Sequence, residues 1–464
     1  MTASRLLVDD PYTSETVFET ALATDAEVDA AIARAASAQR IWQGVPVPDR
    51  IAAVYRFARA FEAKADEYAL EITRAMGKPL AHAKGEIRGM VDRAEQMAQL
   101  AEQALSPIVL PAKDGFERWI AREPVGVVAV LAAWNYPLLI AINPVAASVL
   151  AGNAVVLKHS SRTPRCAEQI AEAFAAAGVP DGLVTVIHAD HPTTERMVQH
   201  PGIGFVSFTG SVFGGRRIYQ AVAQARFIDV TLELGGKDPA YVCADADFDF
   251  TAENVLDGAF FNAGQSCCGV ERIYVEAPVY DRFCDAAVAF AEAIKIGDPK
   301  VDGTGQGPMA QANAQDFLRK QVEDARAKGA RILTGGGPLQ HEGKGRFFAP
   351  TVAADTDHQM AIASEESFGP VVCIQKVSGD QQAVERMNDS TLGLTASVWT
   401  EDIERGRTLL SQLHAGTVFL NRADYLDPML AWTGVKDSGK GVSLSELGLQ
   451  AVTRPKSYHL RIAH

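Results

Sequence analysis

Between Val125 and Ala133 the chain carries nine consecutive residues without a charged or polar side chain. That run is too short to span a bilayer. A strand apolar on both faces belongs inside a sheet covered on both sides, which is the habit of parallel α/β proteins. The segments downstream of it support a sheet of that kind. Leu138 to about Gly152 reads as a helix and Ala154–Lys158 as a strand. Arg165–Ala177 reads as a helix closed by Gly178 and Pro180, and Val184–His188 and Gly204–Phe208 as further strands. Strand alternating with helix implies a parallel sheet with right-handed crossovers. The alternation restarts after Gly235–Gly236, with expected strands at Ala240–Cys243, Arg272–Val275 and Val371–Gln375. The coarse expectation is two α/β units joined near Gly235. The N-terminal third reads helical instead. Thr24 and Glu27 have capping-box spacing ahead of Val28, Ala31, Ile32 and Ala35 on one helical face. A second helix is expected from about Arg50 to Met76, stopped by Gly77 and Pro79. Ser457–Ile462 alternates like a strand, which at a chain end suits pairing with another domain or subunit.

A length of 464 residues implies two to four domains. The net charge of −13 argues against a nucleic-acid partner, because surplus carboxylates repel a phosphate backbone. It does not exclude an anionic cofactor held by helix N-termini. The opening MTASRLLVDDPYTSE lacks the basic and apolar regions of a signal peptide. The six cysteines, Cys166, Cys243, Cys267, Cys268, Cys284 and Cys373, show no CxxC spacing. Neither a metal site nor a disulfide framework is expected, and a reduced, cytoplasmic protein without a membrane partner is.

Six segments carry residues suited to chemistry. Phe261 to Gly269, FNAGQSCCG, offers two thiols behind a glycine that can turn the backbone into a pocket floor. Both cysteines are equally readable as small buried apolar groups. Glu233 in ELGGK closes an apolar strand, where α/β sheets place ligands and a carboxylate can serve as a general base; a solvated carboxylate before a Gly-Gly turn is the plainer alternative. FTGSVFGG, from Phe208 to Gly215, joins a strand to a helix through small residues that would let phosphate approach backbone N–H groups. Asn135 in WNYP offers a neutral amide for an oxyanion, or simply marks a turn. Lys158 offers an ammonium to ribose or phosphate, or to water. Glu366 and Phe368 in ESFGP set a carboxylate for a sugar diol beside an aromatic ring, or form a loop ended by Gly-Pro.

Taken in order, these segments resemble the aldehyde dehydrogenase superfamily from about Asp10 to the C-terminus. REPVGVV, WNYP, AGNAVVLK, FTGS, ELGGK, FNAGQSC, ESFGP and GVKDSGKG all take part. The resemblance implies an α/β fold of aldehyde dehydrogenase type. Its parts would be a Rossmann-type NAD(P)-binding domain (1–104 and 122–235), an α/β catalytic domain (236–445) and a small β flap for oligomerisation (105–121 and 446–464). Homodimers or homotetramers are implied with it. It assigns Cys267, not Cys268, as nucleophile, Glu233 as the base that activates water, and Asn135 with the Cys267 N–H as oxyanion donors. Trp134, Lys158, Ser161, Gly210, Ser211, Glu366 and Phe368 are implied as the NAD(P) contacts. The implied reaction oxidises an aldehyde to a carboxylic acid through a thiohemiacetal and a thioester.

Two departures from the family pattern bear on specificity. Lys158-His159-Ser160-Ser161 stands where many relatives end in glutamate. Small, neutral Ser161, followed by Arg162, would admit a 2′-phosphate, so use of both cofactors with a lean to NADP is expected. Ala431-Trp432-Thr433-Gly434 replaces the usual P-F-G-G, placing Trp432 at the substrate mouth. Ile140, Leu426 and Trp432 point to a mostly apolar pocket, with Asn143 and Asp424 as polar exceptions. No arginine is evidently placed for a substrate carboxylate, which leans the expectation towards a small aliphatic or amino-aldehyde and away from succinate semialdehyde. Two other readings compete. An acylating relative that passes the thioester to coenzyme A would not need Glu233. A catalytically silent relative would be expected to have lost Cys267 or Asn135.

Overall fold

The computed structural model describes residues 4–463, so the expected outer bounds at 1 and 464 fall outside the described residues. Two parallel-dominated sheets and one antiparallel flap organise the chain. The first sheet has six strands in the spatial order Gly439–Lys440, Asp229–Glu233, Ile203–Thr209, Val127–Ala132, Ala154–His159, Val184–Val186. All neighbours are parallel except the two-residue Gly439–Lys440, which lies antiparallel to Asp229–Glu233. Every residue of Val127–Ala132 is buried, as the apolar run requires. From this central strand the chain builds outward to Val184–Val186, then crosses back and adds Ile203–Thr209 on the other side. The strand order therefore reverses between Val127–Ala132 and Ile203–Thr209. A crevice opens at the carboxyl ends of strands at such a switch point, and Trp134-Asn135, Gly210-Ser211 and Glu233 all leave the sheet at that end.

The second sheet has seven strands: Arg331–Thr334, Thr351–Ala354, Val371–Val377, Val270–Glu276, Asp238–Val242, Thr395–Trp399 and Thr417–Leu420. Only Arg331–Thr334 runs antiparallel to its neighbour. The flap pairs Thr453–Arg461 with Phe116–Pro124 over nine residues, with Ile108–Val109 beyond. Trp119 and Tyr458 stack across it, 4.5 Å between centroids. Most of Thr453–Arg461 is exposed.

The helical layer over the first sheet is held by aromatic packing. Phe57 from Val47–Glu62 stacks on Phe174 from Arg165–Ala176, with centroids 4.0 Å apart and both rings fully buried. Rings of this size each contribute about 1.5–3 kcal/mol by burial.

Three local expectations are corrected. The helix expected from Arg50 to Met76 is two, Val47–Glu62 and Ala65–Met76, because the chain turns at Ala63–Lys64 so that Phe61 and Tyr68 can pack at 4.7 Å. No glycine or proline marks that turn. The supposedly helical N-terminal region begins with a hairpin, Arg5–Asp9 and Thr16–Ala21. Its Asp9 anchors Arg162 and Arg346, contacts between residues far apart in sequence. Near the C-terminus, Ser445–Ala451 is a helix packed on Leu80–Ala104, and strand pairing starts only at Thr453.

Candidate active site

Cys267 lies just beyond the helix Phe248–Phe260, after a tight segment in which Asn262, Ala263 and Gly264 are all left-handed, with φ of 54°, 57° and 66°. Two residues of that type without glycine are costly, and the surrounding hydrogen bonds hold them. Asn262 Nδ2 donates to Gln265 O (3.1 Å) and to Asn135 O (3.2 Å). Gln265 Nε2 donates to Asn262 O (3.1 Å), and Gln265 Oε1 accepts from Ala310 N (2.9 Å). Gly264 passes so close to the Gly369 carbonyl that any Cβ would collide with it. FNAGQSC is thus locked against both WNYP and ESFGP, and the half-buried Cys267 thiol sits where two cavities meet.

The two cysteines differ in their surroundings. Cys268 is buried and donates to Asp424 Oδ1 (3.0 Å). The adjacent Cys267 thiol, burial and Asp424 together push its pKa well up, so it is a poor source of thiolate. Cys267 lines both cavities; Cys268 lines only the larger.

Asn135 Nδ2 is buried and has no protein acceptor. A buried amide left unsatisfied is destabilising, so this donor is free for an acceptor brought into the cavity. Its backbone is fixed from behind. Lys78 Nζ donates to Asn135 O (2.9 Å) and lies 4.1 Å from the centre of the Tyr136 ring. Lys78 is itself in a buried ion pair with Glu86. Glu86 Oε1 accepts from Leu138 N (2.9 Å) and Leu139 N (3.4 Å), the first turn of Pro137–Leu150, which has no side-chain cap of its own.

Glu233 ends its strand beside Thr209 and lines both cavities. Burial raises its pKa, while a hydrogen bond from Ser443 Oγ and the nearby Arg93 charge pull it back. A carboxylate with a raised pKa, reached through a cavity, is suited to proton abstraction from water.

The smaller cavity, about 320 Å³, brings together Trp134, Gly210, Ser211, Glu366 and Phe368 with Asn135, Glu233 and Cys267. Ser211 caps Val212–Ala225, accepting from Gly214 N (3.1 Å), so a helix N-terminus opens onto this space. That is a ready site for pyrophosphate. Trp134 and Phe368 meet edge to face at 5.4 Å and line the cavity with aromatic surface. Glu366 Oε1 accepts from Gly236 N (3.1 Å), and burial together with Glu271 pushes its pKa up to about 8. The loop carrying it is pinned by Glu271, which accepts from Ser367 N (2.8 Å) and Phe368 N (2.9 Å) and pairs with buried Lys237. Anion-binding end, carboxylate and aromatic lining together fit the nicotinamide half of a dinucleotide. Lys158 and Ser161 lie outside this cavity, at the carboxyl end of the neighbouring strand Ala154–His159, Lys158 facing Leu131 in the ladder. Arg162 is committed elsewhere: it binds Ala75 O (2.5 Å) and Asp9. The expectation that it would help admit a 2′-phosphate is corrected accordingly.

The larger cavity, about 690 Å³, contains all four expected substrate residues, Ile140, Leu426, Trp432 and Asp424, and Asn143 as well. The expectation that no arginine is near is corrected, because Arg93 and Arg422 both line it.

Sequence comparison decides the family. A model of the aldehyde dehydrogenase family matches residues 2–458. The chain belongs to the aldehyde dehydrogenase family. Its relatives include a succinate-semialdehyde dehydrogenase [NADP(+)] of Mycobacterium avium, 36% identical over 97% of this chain and 95% of that protein. Solved structures similar to this aldehyde dehydrogenase include an NAD-dependent aldehyde dehydrogenase from Sinorhizobium meliloti (TM-score 0.96, 31% identity, 99% and 92% of the two chains). Betaine aldehyde dehydrogenase from Staphylococcus aureus in complex with NAD+ gives 0.94 and 30%, over 99% and 92%. The enzyme is an NAD(P)-dependent aldehyde dehydrogenase.

Sequence reasoning missed Lys78, Glu86, Arg93, Lys237, Glu271 and Ser443. Only the spacing of Lys78 and Glu86 in GKPLAHAKGE carried a signal. The others meet the site through contacts between distant elements.

Proposed function

We propose that this enzyme is hydrolytic, oxidising a small aldehyde to its acid through a thioester on Cys267. The observation that carries the reading is that Cys267 and Glu233 line both cavities while the free Asn135 amide lines the smaller one beside them. Cys267 attacks the aldehyde carbon as thiolate. Asn135 Nδ2 and the Cys267 N–H donate to the resulting oxyanion, a charge absent from the ground state, so the interaction lowers the barrier. The nicotinamide of NAD(P)+ supplies the hydride acceptor. Trp134 and Phe368 would hold that ring, and Glu366 would take the ribose diol. Glu233 then removes a proton from water, the water oxygen bonds to the thioester carbon, and the carbon–sulfur bond breaks to free the acid and the thiol.

Lys158 is the proposed ligand of the adenosine ribose. With Ser161 too small and neutral to repel a 2′-phosphate, both cofactors are accepted; the lean to NADP now rests on these two residues alone. The exposed strand Thr453–Arg461 supports assembly into a homodimer or homotetramer by addition to a partner's sheet. Six free cysteines suit a reducing, cytoplasmic setting.

The test is NADH and NADPH formation with a panel of aldehydes, without coenzyme A, in wild type and Cys267→Ser. Turnover that disappears in the variant supports the reading. A requirement for coenzyme A would favour an acylating enzyme, and cofactor binding with no turnover on any aldehyde would favour a silent relative.

A further inference from the structure

The wall of the larger cavity contains a buried cation with much of its hydrogen-bonding capacity unspent. Arg93, on helix Leu80–Ala104, is 7% exposed. Both of its protein hydrogen bonds leave from Nη1, to Leu139 O (3.1 Å) and to Asn143 Oδ1 (3.1 Å). Its Nε is buried with no partner. Other deeply buried cations are provided for. Lys78 pairs with Glu86 and Lys237 with Glu271. Arg272 spends three nitrogens, with Nε on Lys237 O (2.7 Å) and Nη2 on Met387 O (3.1 Å). Arg93 forms no ion pair among the described residues, yet it lines the same cavity as Cys267.

A desolvated guanidinium in no direct ion pair, with Glu233 and Glu86 only as neighbouring charges, is costly to keep in a wall. Its planar fork matches a carboxylate through two parallel N–H···O bonds. We propose that Arg93 binds a carboxylate of the substrate, so that the preferred aldehydes are semialdehydes of short dicarboxylic acids. This rests on the reading of Cys267 as nucleophile in that cavity. The acidic residues there do not make an equal case for an amine. Asp424 already accepts from Ser266 Oγ (2.9 Å) and Cys268 Sγ (3.0 Å), Glu233 accepts from Ser443 Oγ, and Asp92 and Asp257 are exposed. Arg422 lies exposed and stacked 3.4 Å from the Tyr425 ring, so it suits attraction at the mouth rather than a fixed subsite.

The experiment compares kcat/KM for succinate semialdehyde, butanal and 4-aminobutanal in wild type, Arg93→Lys and Arg93→Met. Wild type is expected to favour the semialdehyde. In Arg93→Met the ratio of semialdehyde to butanal efficiency should fall on the order of 100-fold, mainly through KM, with Arg93→Lys intermediate. An unchanged ratio, or a wild type that prefers butanal or 4-aminobutanal, overturns the proposal while leaving Cys267 chemistry intact. Absence of turnover on all three without coenzyme A would instead strike the hydrolytic reading. Should the variants not fold, wild type decides by product competition. Succinate must compete with the aldehyde while neutral succinamide does not, and equal inhibition by the two contradicts an anion subsite.

Discussion

Glu233 shows how one residue's surroundings set the pH range of a reaction. Burial raises its pKa and Ser443 lowers it. The base is active when ionised, so thioester hydrolysis should rise with pH through the Glu233 pKa, which lies above the ordinary carboxylate value. Ser443→Ala removes a donor that favours the ionised form and should move this acidic limb to higher pH. Rapid-quench measurement of deacylation against pH checks the direction; an unmoved or acid-shifted limb would contradict it. At this scale the sequence was informative about chemistry and silent about neighbours. Cys267, Asn135 and Glu233 could be singled out because their motifs carry them. Ser443 and Arg93 could not, because a serine and an arginine acquire meaning only from what folds against them.

Among elements, the decisive contact joins Leu80–Ala104 to the first turn of Pro137–Leu150. Glu86 caps that helix from outside and Lys78 ties down the Asn135 carbonyl. Breaking a buried pair leaves a lone charge, so Lys78→Met should cost about 3–5 kcal/mol in urea unfolding. The double variant Lys78→Met, Glu86→Leu should recover part of that loss, though the orphaned Leu138 N–H still costs about 1–3 kcal/mol. Additive losses would show that the two residues do not act as a pair. The parallel strands of the first sheet, and Asp238–Val242, Val270–Glu276 and Val371–Val377 of the second, were legible to within a few residues because apolar runs mark them; Arg331–Thr334, Thr351–Ala354, Thr395–Trp399 and Thr417–Leu420 were not. The N-terminal hairpin and the turn at Ala63–Lys64 were not, since long-range packing rather than glycine or proline sets them.

For the whole molecule, the two sheets converge on one crevice, while the flap extends from it with an outer strand unpaired among the described residues. A chain ending at Val452 is expected to sediment as a monomer and the full chain as a dimer or tetramer; identical masses per particle would remove the flap from assembly. The expected division into three parts rests on the family resemblance, because strand periodicity alone does not say which strands share a sheet. Cys267, Glu233 and Thr209 are shared by both cavities.

The central claim is a covalent acyl group on Cys267 that Glu233-activated water removes. Intact-protein mass spectrometry of Glu233→Gln, mixed with aldehyde and NAD(P)+ and quenched, tests it most directly. The account predicts a burst of about one reduced cofactor per chain and an added acyl mass that maps to Cys267 by peptide digestion. Full steady turnover in this variant with no adduct, or an adduct on Cys268, would contradict it.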